Sequence, residues 1–156
     1  MRTGRTGAAS KAGHDLVLEV AAWEATLDDD RVTLDADATS LRVREGTGGM
    51  QALGSDDIAN IEETIDKEVL LERDIAFRST RLERGEDGVL HVEGDLTIVG
   101  TTHPIAFDLL VGDNGSVRGR AVVKQSDWGM KQYSILFGAL KVADEVEVAI
   151  DARQSR

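Results

Sequence analysis

Three histidines, His14, His91 and His103, are the side chains best suited to move a proton near neutral pH or to hold a transition metal. A metal site needs several donors converging. No spacing among the three histidines matches a metal-binding pattern. His91 falls at a polar position of an alternating run, so it is expected in solvent. His103 sits in the Gly100-Thr101-Thr102-His103-Pro104 stretch, which has the composition of a turn. His14, between Gly13 and Asp15, is expected in a Gly-flanked loop at the start of the strand that follows. Serine chemistry lacks its setting, because no Gly-x-Ser-x-Gly elbow occurs. Gly46-Thr47-Gly48-Gly49 matches neither a dinucleotide fingerprint nor a phosphate loop. The chain has no cysteine, which excludes disulfides, thiol catalysis and thiolate metal sites. Trp128, beside Gly129, and Tyr133 could border an entrance, although such aromatics more often cover the edge of a core. No catalytic constellation emerges, and neither a cofactor nor a metal is expected.

The elements that must position these residues are mainly strands. In residues 88–111, Leu90, Val92, Leu96 and Ile98 alternate with His91, Glu93, Asp95 and Thr97. The pattern restarts with Ile105, Phe107, Leu109 and Val111. Period-two alternation predicts two half-buried antiparallel strands, joined at residues 100–104. Leu16, Leu18, Val20 and Ala22 alternate in the same way, with Trp23 out of phase and expected on the outer wall. Val32, Leu34, Ala36 and Ala38 follow the Asp28-Asp29-Asp30 turn. The apolar phase then slips to Leu41 and Val43, which predicts a bulge near Ser40. Ile75, Phe77 and Ser79 begin another strand. Val117 to Val123 follows the Asp113-Asn114-Gly115-Ser116 hairpin turn, and Val146, Val148 and Ile150 close the chain. Residues 126–141 are ambiguous.

Residues 55–73 break the pattern. Ile58, Ile61, Ile65 and Val69 are three and four residues apart, the spacing of an amphipathic helix. Ser55 is the expected N-cap, and Asp56 and Asp57 fall where the helix dipole favours negative charge. The rest of the helix is acidic, with only Lys67 and Arg73 as basic residues.

Composition narrows the function. At 156 residues with 41% hydrophobic residues and one proline, the chain is expected to fold as a single domain, 1–156, with a substantial core. Aromatics make up 4%, so any cavity must be lined mainly by Leu, Ile, Val and Ala. The 29 acidic residues outnumber the 18 basic ones, giving a net charge of -11. That charge repels phosphate backbones and argues against nucleic-acid binding. No apolar run approaches the ~18 residues that would span a bilayer. No apolar stretch follows Arg2, Arg5 and Lys11, so the chain is expected in the cytoplasm, and secretion would need a leader.

The segment Gly94-Asp95-Leu96-Thr97-Ile98-Val99-Gly100, followed by Thr102 and Pro104, resembles a motif of the YceI-like family. Phe77-Arg78-Ser79-Thr80 is similar to that family's Phe-x-Ser-Thr strand, and Asp127-Trp128-Gly129 to its Asp-aromatic-Gly element. Asp144 to Val148 resembles its closing strand, and Gly13-His14-Asp15 the opening of one branch. The resemblance covers nearly the whole chain. It implies an all-β, eight-stranded, antiparallel, lipocalin-like barrel that binds polyisoprenoids, isoprenoid quinones or related long-chain amphiphiles and carries no catalytic residues. Members of this branch have a longer first strand before the Arg-Thr-Gly-Arg element, whereas Met1 nearly abuts it here.

The expected protein is therefore a non-enzymatic barrel with one acidic helix over about residues 55–73. Its partner is a long-chain isoprenoid or fatty amphiphile, and a homodimer is its candidate assembly. Leu16 and Leu18, Phe77, Leu96 and Ile98, and Ile105, Phe107 and Leu109 are the expected lining. His14, Trp128 and Tyr133 are expected at the mouth. A strand of ~8 residues spans roughly 27 Å, enough to shelter several isoprene units. The alternative is a stress-related or interaction module with a filled barrel and a protein-binding surface.

Overall fold

The computed structural model describes residues 1–135 and 139–154. The alternating pair forms β7 (Val89–Ile98) and β8 (Thr101–Val111), with Leu90 opposite Leu109 and Val92 opposite Phe107. Even-numbered residues of β7 are buried and most odd-numbered ones exposed, as alternation requires. The turn is shorter than expected. Only Val99 and Gly100 connect the strands, both at positive φ (52° and 75°), and residues 101–104 already belong to β8. A valine at positive φ leaves no signal in composition. Pro104 is tolerated in the strand because β9 (Ser116–Lys124) pairs with β8 only at Asp108–Val111, leaving that side of Pro104 without a ladder. His103 is therefore a strand residue opposite Leu96, not a turn residue.

The other strands are β1 (Arg2–Thr6), β2 (His14–Val20), β3 (Trp23–Leu27), β4 (Val32–Ala36), β5 (Leu41–Gly48), β6 (Ile75–Arg84), β10 (Ser134–Ile135) and β11 (Leu140–Arg153). They form one curled antiparallel sheet in the order β3-β4-β6-β7-β8-β9-β11-β1-β2-β5, with β10 added beside β11. The described residues form eleven strands, which reduce to the expected eight for a simple reason. β2 and β3 are two halves of one bent arm, β4 and β5 are halves of its partner, and β10 is a two-residue addition. The two arms pair along both halves, so the ends of the sheet meet at this bent hairpin and the wall curls back on itself.

The bend is made by local hydrogen bonds. The phase slip near Ser40 is a single 3-10 turn, Ala38–Ser40, rather than a bulge. The Asp37 carboxylate accepts from Thr39 N at 2.9 Å and from Thr39 Oγ1 at 2.6 Å. Ser40 Oγ accepts from Ala22 N at 2.9 Å and donates to Asp37 O at 2.7 Å. Asp37 N donates to Ala22 O at 3.0 Å, which locks the two bends together. β1 is short, and its ladder with β2 is confined to Arg2–Val17 and Thr3–Leu16.

The helix α1 spans Ser55–Thr64 and continues as a π-helical turn, Ile65–Val69. Its N-cap is Gly54 rather than Ser55, with Gly54 N donating to the Asp57 carboxylate at 2.9 Å. It stops short of residue 73 because Leu71 and Glu72 both adopt left-handed φ, 56° and 53°. Buried Leu70 prolongs the apolar pattern beyond the true end. No residue of the helical run is fully buried. Residues 136–138 of the ambiguous stretch lie outside the described residues. The core joins Leu18, Leu41, Phe77, Val92, Leu96, Ile98, Leu109, Trp128 and Val146. Among the described residues, no helix is long and apolar enough to cross a membrane.

Candidate ligand-binding cavity

The inner face of the curled sheet does not fill its own interior. A cavity of about 1150 Å³ lies inside. β6 gives it Ile75 and Phe77, β7 gives Leu96 and Ile98, and β8 gives Ile105, Phe107 and Leu109. Val117, Ala121 and Val123 of β9 and Val146, Val148 and Ile150 of β11 complete one wall. Leu16, Leu18 and Val20 of β2 stand on another. Each set is the apolar parity of its strand, which pleating sends to a single face. The helical run lies along the cavity and adds Ile61, Ile65, Val69 and Leu70. It is attached at the edge of β5, where Val43 N donates to Glu62 Oε1 at 2.8 Å.

The polarity of the lining is sorted by depth. Glu19, Asp28, Arg120, Asp151 and Arg153 border the cavity, and all five are exposed. Gln125 is the one lining residue among the described residues that is both polar and buried, and its Nε2 is committed to Ala143 O at 2.9 Å. A buried charged side chain would make the interior hostile to hydrocarbon, and the partly buried terminal ammonium of Met1 is bonded to Leu18 O at 2.7 Å. The lining is instead suited to an apolar chain, which needs no directional partner.

Of the expected lining and mouth residues, Leu16, Leu18, Phe77, Leu96, Ile98, Ile105, Phe107, Leu109 and Tyr133 border this cavity. His14 and Trp128 are directed elsewhere. His14 Nε2 lies 2.7 Å from Gln51 O, and its ring covers Gly49, so it braces the loop that leads to the helix. Trp128 is buried behind the lining, donating from Nε1 to Leu96 O at 2.8 Å and meeting the His103 ring edge-on at 5.5 Å. The turn that carries Trp128 is held by Asp144, whose carboxylate accepts from Ser126 Oγ at 2.6 Å and Ser126 N at 2.8 Å. Those bonds keep the Asp144 carboxyl below the usual aspartate range, the hydroxyl contributing most. Thr39 does the same for Asp37. His91 lies on the outer face, 2.6 Å from Asp108 across the β7–β8 ladder. Trp23 is exposed at the cavity edge. No cluster of three or more potential metal ligands occurs among the described residues.

Sequence reasoning passed over the β9 and β11 lining, although the same alternation marks it. It read Ile61, Ile65 and Val69 only as the apolar face of a helix. Nothing in helical periodicity says whether the apolar stripe meets side chains or a cavity.

The comparisons agree with this architecture. The family model described as YceI-like domain matches residues 5–153. No curated protein matches the chain. The Campylobacter jejuni YCEI protein is similar in structure, with a TM-score of 0.65 at 14% identity over 90% of this chain and 85% of that one. Burkholderia cenocepacia BcnA is similar with a TM-score of 0.62 at 14% identity, covering 96% of this chain and 93% of its own. At these identities the solved structures share a fold with this chain.

Proposed function

The chain belongs to the YceI-like domain family, and from that premise we propose that it holds a polyisoprenoid, an isoprenoid quinone or a related long-chain amphiphile inside its curled sheet. The observation that carries the reading is the roughly 1150 Å³ aliphatic cavity with its charged side chains confined to exposed edges. Burying a hydrocarbon tail yields about 0.8 kcal/mol per methylene. Ten methylenes then supply roughly 8 kcal/mol before the cost of association is subtracted. Chain length and width, rather than any single polar contact, set the affinity. The ligand is bound and released chemically unchanged. A filled barrel acting only through its outer surface has the cavity against it.

Native mass spectrometry of gently purified protein, combined with organic extraction and offered long-chain isoprenoids, tests the proposal. The expected result is a retained or acquired apolar ligand in about one-to-one ratio. A protein that never retains or takes up such a chain would overturn it.

A further inference from the structure

The inner face of β7 carries one residue without a side chain. Gly94 lies between Val92 and Leu96, opposite Ser79 on β6 and Ile105 on β8. The β6–β7 register slips between Ser79 and Arg81, directly beside it. The space above Gly94 is occupied by the Phe77 ring. A Cβ placed on Gly94 would stand 2.5 Å from Phe77 Cζ and 2.7 Å from Cε2. The ring also meets Phe107 across β7, with centroids 5.3 Å apart and planes tilted by 58°. Both phenylalanines border the cavity, whereas Val92 behind them is 1% exposed and does not.

We infer that Phe77 is the specificity-determining residue of the cavity. Its ring fills a glycine-floored niche in the wall that a ligand's own ring could otherwise occupy, and so biases the cavity toward slender chains over ligands with a ring or other broad end. The inference rests on the proposal that the cavity binds a long-chain amphiphile, and it identifies which members of that class are favoured. The niche is as wide as one aromatic ring, because that is what fills it. An apolar side chain that turns or shortens here exposes the Gly94 floor to the cavity. Gly94 itself cannot be used to test this, since an added Cβ would also stand 2.5 Å from the Arg78 carbonyl oxygen and force the backbone to move.

The test is Phe77→Leu, with Phe107→Leu as a second variant that keeps the Phe77 ring. Two probes are titrated by calorimetry: hexadecanoic acid as a slender chain, and a single-ring benzoquinone with a four-isoprene tail as a ring-ended one. Phe77→Leu should change the ratio of the two dissociation constants by tenfold or more in favour of the benzoquinone, and Phe107→Leu should change it less. Parallel changes for both probes would overturn the inference and leave Phe77 as ordinary wall. If wild type and both variants bind neither probe, the binding proposal fails. The niche is still decided by xenon, which enters apolar cavities. A crystal of Phe77→Leu under xenon pressure should show a site over Gly94 that wild type lacks, and its absence would overturn the inference.

Discussion

Asp144 shows how an exposed carboxylate can matter to a buried cavity. It touches no lining residue in its recorded hydrogen bonds, yet its two bonds to Ser126 fix the turn that carries Trp128. Trp128 in turn holds the Leu96 carbonyl from behind the lining. The folded state keeps the Asp144 carboxyl below its ordinary range, chiefly through the Ser126 hydroxyl. A depressed carboxylate pKa stabilises the fold fully above the unfolded value, and that contribution is lost as pH falls through the folded value. Stability should therefore decline on acidification from the ordinary aspartate range down through the lower folded-state value. Asp144→Asn should lower stability at neutral pH and flatten this part of the acid limb. Urea denaturation of both proteins at a series of pH values checks it. Parallel acid limbs would remove Asp144 from the account. Asp37, similarly held by Thr39, keeps its own share of the slope in both proteins.

At the scale of elements, the helical run is the least securely held part of the wall. None of its residues is fully buried, although four of its apolar residues or immediate neighbours face the cavity. Its recorded side-chain bond to the sheet is Glu62 to Val43 N. Glu62→Ala removes that acceptor from the edge of β5. Amide exchange at Val43 should accelerate by tenfold or more, with the β7–β8 amides unchanged. An unchanged Val43 rate would show that the helix is held by apolar contact alone. The same contrast explains which elements were legible beforehand. Leu90 to Ile98 and Ile105 to Leu109 announce themselves because pleating converts burial into period two. The bend at Asp37–Ser40 was seen only as a phase slip, since its cause is a set of bonds to Ala22, in the other arm of the hairpin. The early start of β8 was missed because Val99 takes a conformation unusual for valine. The roles of His14 and Trp128 were not legible either. Their partners, Gln51 and Leu96, lie far along the chain, and neither partner bonds through its side chain.

Over the whole molecule, apolar parity has two uses that alternation cannot separate: residues can fill an interior or line one. Phe77, Leu96, Ile98 and Leu109 are all nearly inaccessible, and all border the cavity, so burial alone does not decide between them. Ligand-linked stability does. A ligand at a hundredfold excess over its dissociation constant adds about 2.7 kcal/mol to the folded state. For a chain of this size that raises Tm by roughly 5–10 °C. Ile98→Trp places a larger ring at a lining position. If the interior is hollow there, the free protein should keep nearly its wild-type Tm while the ligand-induced rise falls by half or more. If Ile98 is instead close-packed, overpacking should cost about 1–3 kcal/mol in the free protein, and the ligand-induced rise should remain. Scanning calorimetry of wild type and Ile98→Trp, with and without the lipid identified by extraction, separates these outcomes because one moves the free protein and the other moves the increment.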